Sequence, residues 1–103
     1  MIKHNLPKLG EKETDAIERV LKRGWISSGV EVEEFESKIK SLIQKKYARA
    51  VNSGTSALHL ALYVMGITYA DEVIIPSFTC ESLMQAVKYV GAEPVLAEVE
   101  EDS

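Results

Sequence analysis

The chain has one cysteine, Cys80, and two histidines, His4 and His59, among its 103 residues. A single cysteine closes no internal disulfide, which suits a reducing cytoplasm. The histidines fall in the opening arm and inside an apolar run, so neither offers a positioned base for a nucleophile, and no metal-ligand set can be read from the chain. Long hydrophobic runs are missing as well. The opening segment, Met1 to Pro7, has no apolar core of signal-peptide length, and no stretch approaches a membrane span. Nor is there an excess of basic charge. The formal net charge is -4 and lysines alternate with acids, as in Glu11-Lys12-Glu13, which argues against a nucleic-acid surface. Neither glycine-rich phosphate fingerprint, Gly-x-Gly-x-x-Gly or Gly-x-x-x-x-Gly-Lys-Ser/Thr, occurs. With these classes set aside, the length is that of one domain near the usual size for burying its own core.

What is present is an ordered alternation of helical and strand patterns. Glu11 to Arg23 places Ala16, Ile17, Val20 and Leu21 on one face and is followed by Gly24 as a stop, which predicts an amphipathic helix. Trp25 to Gly29 reads as a loop, and a second amphipathic helix is expected from about Val32 to Lys46. Beyond it the pattern predicts a strand at 47–51, a helix at 55–65 closed by Gly66, and a strand at 72–75 ended by Pro76. A helix from about Cys80 to Val90 and a strand at 94–99 complete it. Such alternation implies crossover units: an α/β fold, mainly parallel sheet with flanking helices. The organisation expected is a helical arm over 1–46 and a β-α-β-α-β part over 47–103.

Helix 55–65 is apolar nearly all round, since Leu60 and Val64 lie opposite Leu58 and Leu62. It is either a central helix of a compact monomer or a helix covered by a further layer or another subunit.

The most informative segment is Asn52-Ser53-Gly54-Thr55-Ser56-Ala57-Leu58, a turn opening that helix. The first amides of a helix lack intrahelical acceptors and the aligned peptide dipoles add partial positive charge, so an anion is favoured there without a nearby lysine or arginine. Gly54 allows close approach of a ligand, and Thr55 and Ser56 add hydroxyl donors. The ordinary alternative is that Ser53 or Thr55 simply caps the helix.

A second turn, Pro76-Ser77-Phe78-Thr79-Cys80, leads from a strand into a helix and should share the ligand-binding sheet edge with Gly54. Cys80 near a helix start is either a thiol of lowered pKa or a small packing residue. His59 reads as a packing residue. Asp71, Glu72 and the acidic run from Glu98 to Asp102 read as solvated, and Trp25 is either a core anchor or a pocket wall.

Taken in order and spacing, several segments resemble one family, the pyridoxal-phosphate-dependent nucleotide-sugar aminotransferases of the DegT/DnrJ/StrS group. They are Gly24-Trp25-Ile26-Ser27-Ser28-Gly29 before Phe35-Glu36, Asn52 to Leu62, Asp71 to Thr79, and Gly91-Ala92-Glu93-Pro94-Val95. The resemblance implies the N-terminal part of a fold type I large domain, working as a homo-oligomer with active sites at the subunit interface. It implies pyridoxal 5′-phosphate as cofactor and amino transfer from an amino-acid donor, glutamate, to a keto-sugar nucleotide in polysaccharide or amino-sugar biosynthesis. Partners of the nucleic-acid or membrane kind are not implied.

By the same resemblance Gly54, Thr55 and Ser56 hold the cofactor phosphate, Cys80 takes the ring-face position where the family usually carries an aromatic, and Trp25, Ser27 and Ser28 lie on the substrate side. Ala70 replaces a common glycine in a turn. The family's Schiff-base lysine and the acid that pairs with the pyridine nitrogen fall beyond residue 103, so no catalytic residue is expected within the chain, which is expected to be inactive alone. Two other readings stand beside this one: a non-catalytic remnant serving only as an oligomerisation module, and an unrelated small α/β phosphate-binding protein.

Overall fold

The computed structural model describes residues 6–100, so His4 and the acidic end at 101–103 lie outside the described residues. The chain divides into two compact units, 1–48 and 49–103.

The first unit holds helices α1 (Glu11–Arg23) and α2 (Val30–Leu42). Local chemistry sets the bounds of α1. The Glu13 carboxylate accepts the Gly10 amide at 2.7 Å, half of a capping box, and Gly24 closes the other end at φ 69° with its amide donating to the Leu21 carbonyl. Glu11 and Glu13 in the first turn, and Lys22 and Arg23 in the last, complement the helix dipole. Helix α2 stops at Leu42 instead of running to Lys46. Gln44 adopts φ 52°, a left-handed conformation, and the Lys45 amide folds back onto the Lys40 carbonyl at 3.1 Å, which ends the helix without a glycine. Neither helix buries a residue. The stripe expected to face inward on α1 therefore stays open, with Ile17 and Leu21 more than half exposed.

The second unit runs α3 (Gly54–Val64), β1 (Glu72–Pro76), α4 (Ser82–Tyr89), β2 (Glu93–Ala97). The strands pair in parallel with Glu72 opposite Glu93 and Pro76 opposite Ala97, and the ladder continues one bond further, Ser77 amide to Ala97 carbonyl at 2.7 Å. Pro76, which lacks an amide hydrogen, thus ends the strand as its last paired residue. Period-two alternation turns Val73 and Ile75 toward the helices and Ile74 outward. Ile75, Val87 and Ala92 form the buried centre, with Leu62, Ile67, Leu83 and Val90 packed around it. Helix α4 packs on both strands and α3 packs on α4.

The strand expected at 47–51 does not form: the described sheet has the order β1-β2, and this segment precedes α3 without entering a ladder. A strand exists only with a hydrogen-bonded neighbour, so a β-branched or apolar run alone does not create one. Helix α3 likewise has no buried residue, and Leu60 and Val64 are 45% and 75% exposed. It is therefore not a central helix within this chain. Asp71, expected to be solvated at a turn before the strand, remains partly exposed and closes that turn, its carboxylate accepting the Thr68 amide at 2.8 Å and the Thr68 hydroxyl at 3.3 Å. Gly66 at φ 78° and the bond from the Ile67 amide to the Leu62 carbonyl terminate α3 just before that turn.

Candidate functional site

Helix α3 precedes β1 and packs on α4, and the loop 77–81 joins the end of β1 to α4. The two turns singled out in the sequence are thus the start of α3 and the connection from β1 to α4.

At the first turn, Ser53 is the N-cap in extended conformation (φ −160°, ψ 162°). Its Oγ accepts the Ser56 amide at 3.1 Å and its hydroxyl donates to Ser56 Oγ at 2.9 Å. The Ala57 amide donates to the Ser53 carbonyl at 3.0 Å. Capping by Ser53 is thus real, and it takes up the third amide of the turn. The amides of Gly54 and Thr55 are the first two of the helix and have no intrahelical acceptor by position. A Cβ built on Gly54 would meet nothing within 4 Å, so the protein's own packing does not require glycine there and the space beside that residue is open. Thr55 and Ser56 are half-buried. Two amides, two hydroxyls, open space and the positive end of a helix dipole suit a phosphate group.

Cys80 is exposed, and its Sγ lies 2.8 Å from Ser82 Oγ. That hydroxyl stabilises the thiolate and holds the Cys80 pKa below its ordinary value, with Thr79 contributing in the same direction. Cys80 sits two residues ahead of α4, so it belongs to the loop and not to the helix expected from 80.

In the first unit, Trp25, Ser27 and Ser28 line one hollow of about 370 Å³ together with Val20 and Arg23. The Trp25 indole Nε1 donates to the Ser28 carbonyl at 3.1 Å. A Cβ on Gly29 would lie 2.8 Å from Trp25 Nε1, so glycine is required for the indole to fold back over the loop. Arg23 pairs with Glu31 across the loop at 2.9 Å. Trp25 is therefore a pocket wall and not a core anchor. Ser53, which the sequence left as one of two candidate caps beside Thr55, is the residue that caps α3. The Ser-x-x-Ser spacing from 53 to 56 is the signal that marks it.

His59 is half-buried against Tyr89 of α4, as a packing residue should be. Among the described residues no group of three His, Cys, Asp or Glu side chains is placed to hold a metal ion, and no helix is long and apolar enough to cross a membrane.

Comparison with known proteins gives these features a family. The profile of the DegT/DnrJ/EryC1/StrS aminotransferase family matches residues 7–103. The chain belongs to that family. Among solved structures it is similar to Spr1654 of Streptococcus pneumoniae, a candidate sugar aminotransferase known in a PLP form, with 31% identity and a TM-score of 0.89 over 99% of this chain and 26% of that one. It is also similar to an aminotransferase of Psychrobacter cryohalolentis, with 35% identity and a TM-score of 0.83 over 92% of this chain and 25% of that one. DesV of S. venezuelae is 46% identical with a TM-score of 0.78, covering 88% of this chain and 25% of that one. The chain thus spans about a quarter of the length of the structures it matches, and corresponds to the N-terminal part of the fold type I large domain.

Proposed function

We propose that the chain is the first part of a pyridoxal 5′-phosphate-dependent aminotransferase that moves an amino group from an amino-acid donor, glutamate, to a keto-sugar nucleotide in cytoplasmic polysaccharide or amino-sugar biosynthesis. The observation that carries this reading is the open first turn of α3. The amides of Gly54 and Thr55, which by position lack an intrahelical acceptor, the hydroxyls of Thr55 and Ser56, and the clear space at Gly54 would receive the cofactor's phosphate. Once bound, the cofactor supplies an electron sink for amine chemistry. Everything else asked of this segment is binding and orientation.

Cys80, in the loop that follows β1, would stand at the face of the cofactor ring and offer sulfur where an aromatic would offer a stacking surface. The hollow walled by Trp25, with Ser27 and Ser28, would lie on the substrate side, the indole giving a flat apolar wall and the hydroxyls giving polar contacts. The exposed apolar face of α3, Leu60 and Val64 with Tyr63, supports assembly with a second copy, since monomers rarely leave such a surface uncovered.

The phosphate seat is tested with pyridoxamine 5′-phosphate, which has no aldehyde to label lysines indiscriminately, and with pyridoxamine as the phosphate-free control. Titrated into the ¹⁵N-labelled chain, the phosphate ester should shift the amide resonances of Gly54, Thr55 and Ser56, and pyridoxamine should not. Equal shifts from both ligands, or none at these residues, would refute the seat.

A further inference from the structure

Helix α2 divides by charge. Its first half carries Glu31, Glu33, Glu34 and Glu36, whereas Ser37 to Ala48 contains four lysines, Lys38, Lys40, Lys45 and Lys46, and no acidic residue. Lysines in a last turn complement the helix dipole, but that effect fades within the turn, and Lys45 and Lys46 lie beyond the helix end at Leu42. The turn after α2 also sets two of the lysines side by side. The Gln44 amide donates to the Ser41 carbonyl at 3.3 Å and the Lys45 amide to the Lys40 carbonyl at 3.1 Å, the two bonds of a Schellman motif. The residues at positions 40 and 45 of such a turn are neighbours that commonly meet as an apolar pair; here both are lysines. Both are exposed, and neither side chain has an ion-pair or hydrogen-bond partner among the described residues.

Apolar side chains stand among these cations. Leu42 is 78% and Tyr47 75% exposed, and the Lys46 ammonium lies 5.3 Å from the centre of the Tyr47 ring. Like charges pinned together by backbone bonds repel, and a negatively charged surface relieves them. We propose that the end of α2 and the turn after it form a docking surface for an anionic lipid bilayer, with Lys40, Lys45 and Lys46 meeting the headgroups and Leu42 and Tyr47 entering the interface. A cluster of lysines on and beyond an amphipathic helix has the charge such a surface attracts. Lysine ammoniums are point charges on long stems, without the fork by which arginine grips a single carboxylate, so they suit a diffuse anionic plane. The leucine and the tyrosine gain by entering the boundary between headgroups and acyl chains, and gain nothing on a sugar-phosphate backbone. The association is peripheral, since no helix among the described residues is long and apolar enough to cross a membrane.

Cosedimentation of the chain with lipid vesicles tests this. Vesicles of equimolar phosphatidylcholine and phosphatidylglycerol should carry the chain into the pellet, vesicles of phosphatidylcholine alone should not, and added salt should release it. Lys40→Gln and Lys45→Gln should each weaken partitioning about fivefold, and the double variant about twenty-five-fold. The charge-preserving pair Lys40→Arg with Lys45→Arg should bind as wild type does, and Leu42→Ser should bind more weakly with its salt dependence kept. Lys8→Gln with Lys12→Gln removes the same charge from exposed positions at the start of α1 and should leave partitioning unchanged. Failure to bind the anionic vesicles, equal partitioning to both kinds, or an equal loss from the two glutamine double variants would overturn the proposal. Duplex DNA bound with the same lysine dependence, while the vesicles stay unbound, would overturn it in favour of a polyphosphate surface.

Discussion

The rings of His59 and Tyr89 lie 5.4 Å apart between centroids and are tilted by 60°, joining the middle of α3 to the end of α4. Helix α4 carries the buried Ala86 and Val87 and packs on both strands, whereas α3 packs on α4. The aromatic pair therefore helps seat the helix whose first turn forms the candidate phosphate site. Tilted aromatic pairs contribute about 0.5–1.5 kcal/mol beyond their buried area. His59→Ala should accordingly lower unfolding free energy by about 1–2 kcal/mol, read as a lower urea midpoint with an unchanged slope, and His59→Phe should recover most of it. An unchanged midpoint for His59→Ala would mean that the contact carries no packing energy.

A methyl group at position 29 would collide with the indole of Trp25, 2.8 Å from Nε1 and 3.1 Å from Cδ1. Gly29→Ala should displace the ring and break its bond to the Ser28 carbonyl. Trp25 is the chain's one tryptophan, so the indole N–H resonance reports this directly. A marked shift of that resonance is expected; an unchanged one would mean that the loop accommodates the methyl and that the hollow does not depend on glycine.

Cys80 owes its lowered pKa first to the Ser82 hydroxyl, so at neutral pH the thiolate fraction is larger than for an ordinary thiol. Ser82→Ala should raise the pKa, and the pH profile of iodoacetamide alkylation should move to higher pH with a slower rate at pH 7. An identical profile in the variant would show that the 2.8 Å contact does not stabilise the thiolate.

Leu60 and Val64 are exposed on α3 and face no element of this unit's core. If they contact a second copy, sedimentation should show mass rising with concentration, and Leu60→Glu or Val64→Glu should abolish that rise while leaving the circular dichroism of the fold intact. A monomer at every concentration, or variants that unfold, would contradict assembly through this face.

Where an element is fixed by its own residues, the sequence discloses it. Helix α1 could be bounded at Glu11 and Arg23 because Glu13 and Gly24 close its ends locally, and Gly66 and Gly91, both at positive φ, mark helix ends for the same reason. Helix α2 ended early because Gln44 took the left-handed conformation usually left to glycine, which no residue pattern announces. The segment 47–51 has strand composition but no ladder, because pairing depends on a neighbour distant in sequence. At the candidate site, Gly54 at a helix start was legible. The choice between Ser53 and Thr55 as cap was not, since either hydroxyl could reach the first amides until the backbone of Ser53 was known to be extended. Trp25 was undecided for a related reason: its role as a wall follows from the indole folding over Gly29, a contact set by the loop's path.

The most direct measurement is a crystal structure of the chain saturated with pyridoxamine 5′-phosphate. The phosphate is expected at the first turn of α3, its oxygens about 3 Å from the Gly54 and Thr55 amides and the Thr55 and Ser56 hydroxyls, as charge-assisted hydrogen bonds require. A phosphate bound elsewhere, with the first turn of α3 left to solvent, would contradict the assignment of Gly54, Thr55 and Ser56 as the cofactor's seat.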